Sequence, residues 1–383
     1  MAARQKVIVL IGTRPEAVKM APVVHELLRR PAMFETRIVL SGQHERMLDQ
    51  VLTVFSIRED IRLSVMVENQ SLAALTSRLL TELDLLLASE APAWVLAQGD
   101  TTTVMAAALA CFYRKIRFGH VEAGLRTGVL DNPFPEEANR RIVDMFSAYH
   151  FAPTSTSAEA LRHEGCPAQG IFVTGNTVVD ALQLAVMMPC GQAKGPLAGL
   201  PAARRIVAIT LHRRESWGAV LENMCAAIRE LARKTAKEGV HFIFPVHLNP
   251  RVRGPVRHIL GGEPNIQLSD PLDYRSFVEL LRSSVLVLTD SGGIQEEAPS
   301  FGVPALVLRE TTERPEAIRA GTAKLVGTRP ADIVREALAL LRDESRRLGM
   351  ARRGNPFGDG RAAGRIADAL EGRPVEPFRY EKE

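Results

Sequence analysis

Three acidic stretches of the chain could handle a proton. Asp100 lies in GDTTT, Glu122 in GHVEAGLRTG and the pair Glu136–Glu137 in PFPEEANRR, and each stands beside a short apolar run that reads as a strand. Plainer accounts exist for each. Asp100 suits the N-cap of a following helix, acids in a first helical turn favour the helix dipole, and Arg140 lies four residues after Glu136, the spacing of an intrahelical pair. Those accounts cover the acids singly. Three of them at neighbouring strand ends are better explained as one site, where carboxyl groups raise one another's pKa values and one acts as acid while another acts as base. Pro133 and Pro135 stiffen the loop that delivers Glu136.

Other residues suit an anion. In GTRPEAVK, Gly12 permits a tight turn, Thr13 can cap, and Pro15 fits a first helical turn. Arg14 then lies where a phosphate would approach a helix N-terminus, with Lys19 one turn on. Neither a G-K-[ST] loop nor a G-x-G-x-x-G fingerprint is present. LHRRES offers His212 to donate to a leaving phosphate, beside Arg213 and Arg214, and FPVHLNP offers His247. A lone histidine is usually structural; two after strands of one domain point to a site. In TDSGGIQEEAPSFG, Ser291, Gly292 and Gly293 lead into a helix, so their N–H groups can cradle a diphosphate. Glu297 suits ribose hydroxyls, and ETTERPEA brings Arg314 as a counter-charge. Anion and sugar together describe a nucleoside diphosphate site.

The elements that position these residues alternate. KVIVLI, TRIVL, AWVLAQ, IRFGHV and IFVTG read as buried strands, separated by helical periodicity near residues 15–30, 71–90, 101–114 and 136–147. The segment Pro189 to Pro201 lacks a period and reads as a linker, after which RRIVAITL, HFIFPV, NIQL, SVLVLTD, PALVL and AKLVG repeat the alternation. The pattern predicts an α/β protein of two doubly wound Rossmann-like domains, residues 1–188 and 202–359, with the C-terminal segment 360–383 joining the first. Open sheets of this kind bind ligands beyond the carboxyl ends of their strands, so a cleft between facing domains is the expected site. A net charge of +4 spread along 383 residues argues for a phosphate-bearing substrate over nucleic acid. Four widely spaced cysteines without a C-x-x-C pair read as reduced thiols, with no zinc site. Without a signal peptide or an apolar run near the ~20 residues of a membrane span, the expectation is a soluble, cytoplasmic protein.

GTRPEAVKMAP, QGDTTT, GHVEAGLRTG, PFPEEANRR, HRRES, PVHLNP, TDSGGIQEEAPS and TTERPEA, in that order, resemble the bacterial non-hydrolysing UDP-N-acetylglucosamine 2-epimerases. The resemblance runs to NPFGDG and so covers almost the whole chain. It implies a glycosyltransferase-B-like fold without metal or nicotinamide, a homodimer, and interconversion of UDP-N-acetylglucosamine and UDP-N-acetylmannosamine for surface polysaccharides. The implied mechanism eliminates UDP to a 2-acetamidoglucal and adds it back, with a proton delivered to the opposite face of C2. Because that proton is not acidic, its removal must accompany loss of the anomeric UDP. Carboxylates then stabilise positive charge on the ring while cations stabilise the departing diphosphate. By resemblance the carboxylates are Asp100, Glu122 and Glu136, with His212 assisting the UDP. Arg14, Lys19, Arg140, His247, Ser291, Gly292, Gly293, Glu297 and Arg314 form the substrate-binding set, and the backbone near Leu272 and Phe277 frames the uracil.

One segment departs from the pattern. Family members often read QHREM or QHRQM where this chain has QHERM, and an arginine used by some aligns near Asn69. Gln43 and His44 belong there to a second, activating site, and the departure leaves activation open. Three rivals share the scaffold: a hydrolysing epimerase releasing free N-acetylmannosamine, a glycosyltransferase, and a non-enzymatic nucleotide-sugar sensor. A transferase would need an acceptor site and no set of three acids, and a sensor could dispense with them.

Overall fold

A computed structural model describes residues 4–42, 45–67, 70–188 and 205–380. The chain divides into two compact units, Met1–Leu184 with Phe357–Glu381, and Ala185–Pro356. The linker Pro189 to Pro201, with Cys190, lies outside the described residues.

The first unit is built on strands β1 (Gln5–Ile11), β2 (Phe34–Leu40), β3 (Ile61–Arg62), β4 (Trp94–Gln98), β5 (Arg117–Val121), β6 (Tyr149–Ala152) and β7 (Ile171–Val173). Their order is β3-β2-β1-β4-β5-β6-β7, with parallel pairing throughout. Strands buried on both faces carry continuous apolar runs; Val7–Ile11 and Trp94–Ala97 are almost wholly buried. Small residues let the layers close. Four buried alanines line helix Thr102–Arg114, which packs on helix Leu72–Glu90. A Cβ at Gly119 would stand 2.6 Å from Leu96 Cδ2. The C-terminal helix Ala362–Leu370 docks on helix Arg14–Leu28, where Arg30 reaches Asp368 at 2.6 Å and Glu371 at 2.8 Å.

The second unit repeats the plan with β8 (Arg205–Thr210), β9 (Val240–Pro245), β10 (Ile266–Ser269), β11 (Ser284–Thr289), β12 (Ala305–Val307) and β13 (Ala323–Leu325), ordered β10-β9-β8-β11-β12-β13. Its core gathers Val207, Phe242, Phe244 and Leu288 against helices Ala219–Thr235 and Pro330–Arg342. In each sheet the strand order reverses beside the first strand of the unit, β1 next to β4 and β8 next to β11. Loops leaving such a reversal diverge and open a crevice at the carboxyl ends.

Candidate active site

In the first unit Glu122 directly follows β5 with φ of 66°, a left-handed conformation unfavourable for a residue with a side chain. The turn is held because the amides of Glu122 and Ala123 both donate to the Phe151 carbonyl, at 3.0 and 3.1 Å. The Glu122 carboxylate, 8% exposed, accepts from Lys19 Nζ at 2.5 Å, from Asn176 Nδ2 at 2.8 Å and from Gln98 Nε2. Lys19 thus partners a carboxylate here. Gln98 ends β4 and Asn176 follows β7, so three segments converge on one side chain.

Asp100 follows Gly99, whose φ of 89° only glycine adopts readily. The helix it precedes is capped by Thr101, which accepts from Val104 N, so Asp100 is not the cap. Its Oδ2 accepts from Arg140 Nε at 3.0 Å and Nη2 at 2.7 Å. Arg140 is buried and also bonds Glu137 Oε2 at 3.0 Å, so the intrahelical partner of Arg140 is Glu137, three residues before it.

The adjacent acids differ in kind. Glu137 is fully buried and accepts the amides of Thr127 and Gly128, at 3.0 and 3.2 Å. Burial raises its pKa, but these amides and Arg140 outweigh it and leave the group below the ordinary range. Glu136 opens helix Glu136–Phe146 half-buried, its carboxylate accepting no hydrogen bond among the described residues. Glu137 is therefore the fixed acid and Glu136 the available one.

The anion reading of Gly12–Lys19 needs correction at its backbone. The amides of Gly12 and Thr13 both donate to Glu16 Oε2, at 2.6 and 3.2 Å. The helix N-terminus is already occupied by its own carboxylate, and a phosphate cannot take those N–H groups. Arg14 stands half-buried at the start of this helix. Burial pushes the Glu16 carboxyl up to about 7, against the opposing pull of the Gly12 amide.

In the second unit the site residues again follow strands. His212 stands after β8 and His247 after β9, their rings stacked with centroids 6.4 Å apart. His247 Nδ1 accepts the Asn249 amide at 3.1 Å, which leaves its proton on Nε2. Burial, with help from His247 and Arg213, holds His212 below the ordinary histidine range, against the pull of Asp290. His212 is therefore a neutral imidazole able to donate a hydrogen bond. Asp290, fully buried at the end of β11, fixes this turn by accepting the amides of His212 and Arg213, at 3.1 and 3.0 Å.

Arg213 is engaged as well. It pairs with Glu313, which Arg309 also binds at 2.6 Å. Burial would raise the Glu313 carboxyl, but Arg213, Arg314 and Arg309 bring it down to about 2. The Arg214 side chain lies outside what the structure describes. Ser291 N donates to Thr289 Oγ1 at 2.9 Å, so the amides offered to a diphosphate narrow to those of Gly292 and Gly293. Buried Arg314 pairs through Nε with buried Glu296, the neighbour of half-buried Glu297. The Phe277 amide donates to the Asp273 carbonyl at 3.0 Å, and Leu272 is half-buried. Gln43, His44 and Asn69 lie outside the described residues.

Sequence reasoning missed Glu16, Gln98, Asn176, Asp290 and Glu296. All but Asn176 sit inside quoted motifs, and their common signal is a polar residue beside a strand end or in the first turns of the helix that follows. Among the described residues no group of three or more His, Cys, Asp or Glu is arranged to hold a metal ion, and no helix is long and apolar enough to cross a membrane.

Two doubly wound parallel sheets, each with ionisable side chains at its strand ends, define a two-unit α/β protein of the glycosyltransferase-B-like class. A profile of the family UDP-N-acetylglucosamine 2-epimerase matches residues 26–371. The chain belongs to that family. It is 50% identical over 372 residues to the UDP-N-acetylglucosamine 2-epimerase of Salmonella typhimurium, covering 96% of this chain and 98% of that protein. Among solved structures it is similar to UDP-GlcNAc 2-epimerase from Neisseria meningitidis bound to UDP-GlcNAc (42% identity, TM-score 0.88, 96% of this chain and 100% of that one). It is also similar to S. aureus MnaA in a co-structure with UDP (40% identity, TM-score 0.89, 98% and 100%).

Proposed function

We propose that this chain interconverts UDP-N-acetylglucosamine and UDP-N-acetylmannosamine without net hydrolysis. The observation that carries the reading is the pair of carboxylates at neighbouring strand ends, Glu122 held by Lys19, Gln98 and Asn176, and Asp100 held by Arg140. Relatives named for this activity support it, as does a related structure that holds UDP-GlcNAc.

In the proposed reaction a carboxylate takes the C2 proton as the C1–O bond to UDP breaks, giving 2-acetamidoglucal and UDP. Return of UDP to C1 with protonation at the opposite face of C2 completes the inversion. Two faces need two proton-handling groups, drawn from Asp100, Glu122 and Glu136. The diphosphate is met by the amides of Gly292 and Gly293 and by the imidazoles of His212 and His247. Glu297 takes ribose hydroxyls, with Arg314 and its partner Glu296 behind it. No cofactor takes part, and the product supplies polysaccharide synthesis in the cytoplasm. A second copy of the chain fits the exposed apolar residues Leu85, Phe112, Tyr113 and Met145, on three helices packed side by side.

Asp100→Asn and Glu122→Gln test the assignment. Each should bind UDP within about threefold of wild type by calorimetry and lose at least ~10²-fold in kcat, the usual contribution of a general acid or base. Near-normal turnover in either variant removes that residue from the reaction.

A further inference from the structure

His120 lies in β5 with its side chain fully buried. Its Nε2 is 2.8 Å from the Gly99 carbonyl oxygen and its Nδ1 is 2.6 Å from Asp144 Oδ1. A carbonyl only accepts, so Nε2 carries a proton. Asp144 also accepts from Arg126 Nη2 at 2.7 Å. Burial raises the Asp144 carboxyl, but His120, Arg126 and His150 draw it below the ordinary range. His120 is thus a buried imidazole with an oxygen partner at each end.

What it holds is the residue before Asp100. Gly99 is buried in a left-handed turn, and its amide donates to the Val121 carbonyl at 3.1 Å. Both backbone polar groups of Gly99 are therefore tied to β5, one through the main chain of Val121 and one through His120. Val121 is followed by Glu122, so a single strand fixes the backbone origins of both carboxylates. Without His120 the Gly99 carbonyl would be a buried acceptor without a donor, and the turn would rotate to find one.

We propose that His120 is a positioning residue for the reaction, a buried imidazole that holds the Gly99–Asp100 turn in register with Glu122. The proposal rests on the epimerase reading above. Two substitutions separate positioning from mere stability. In His120→Asn the amide nitrogen falls near the place of Nδ1 and leaves Gly99 unpaired. In His120→Gln it reaches the place of Nε2 and restores the donor. With turnover expressed per folded, UDP-binding site, His120→Asn should lose about 10²-fold in kcat, the order expected for a misplacement of about 1 Å. His120→Gln should recover to within about tenfold of wild type, with KM for UDP-N-acetylglucosamine changed by less than about threefold in both. Equal kcat in the two variants, or losses that only track the folded fraction, makes His120 structural and overturns the proposal. Failure of wild type to convert the substrate in the same assay overturns the activity reading and this proposal with it, whereas equal kcat values overturn this proposal alone.

Discussion

Glu16 shows how far a single carboxyl can be carried from its ordinary chemistry. It is 2% exposed, Oε2 takes two amides, and Oε1 has no partner among the described residues. With a folded-state pKa of about 7 against an ordinary 4.5, the native state holds a proton that the unfolded chain releases. Stability should therefore fall as pH rises from about 4.5 to about 7, by about 3 kcal/mol for this group, and level off above. Glu16→Gln lacks that dependence. The difference in unfolding free energy between the two proteins, measured in urea at pH 5 and pH 8, should shift toward the variant at pH 8. A pH-independent difference would place the Glu16 pKa near its ordinary value. At this scale the sequence revealed charge and hid partnership. Asp100, Glu122 and Glu136 were visible because acids beside apolar strands are conspicuous. Gln98 and Asn176 were not, since an amide side chain carries no charge and its partner Glu122 lies 24 and 54 residues away.

The turn at the end of β5 depends on tight packing behind it. Gly124 has φ of 82°, and a Cβ there would stand 2.2 Å from the Ser157 carbonyl oxygen and 2.9 Å from Leu161 Cγ. Backbone strain and a clash with helix Ser155–His163 both oppose any side chain. Gly124→Ala should destabilise the protein by more than about 3 kcal/mol and lower the thermal midpoint by several degrees; an unchanged midpoint would mean that the turn relaxes freely. Elements with long apolar runs were legible, because strands buried on both faces leave continuous signals in β1, β4, β8 and β11. β6 was not read. It is four residues, YHFA, and its buried His150 interrupts the apolar pattern to bond the Asp144 carbonyl at 2.9 Å. β3, at two residues, is too short to show a period. The helix beginning at Arg14 was legible as an element, but the hold of Glu16 on the Gly12 and Thr13 amides was not, since an acid in a first helical turn does not show its partner in sequence.

Across the whole molecule, two units share one strand order, and the same logic places chemistry in each. Residues after β1, β4, β5 and β7 gather a carboxylate set, while those after β8, β9, β11 and β12 gather imidazoles, free amides and a compensated arginine. The alternation of strands and helices made both sheets legible from sequence. Strand order was not, since it depends on which apolar faces meet. The proposed reversible elimination is tested most directly by incubating the purified protein with UDP-N-acetylglucosamine in deuterated water and following the proton spectrum. Reversible elimination predicts UDP-N-acetylmannosamine with solvent deuterium at C2, and deuterium entering the recovered substrate as well. Free N-acetylmannosamine with UDP, or epimer that keeps its original C2 proton, would contradict it.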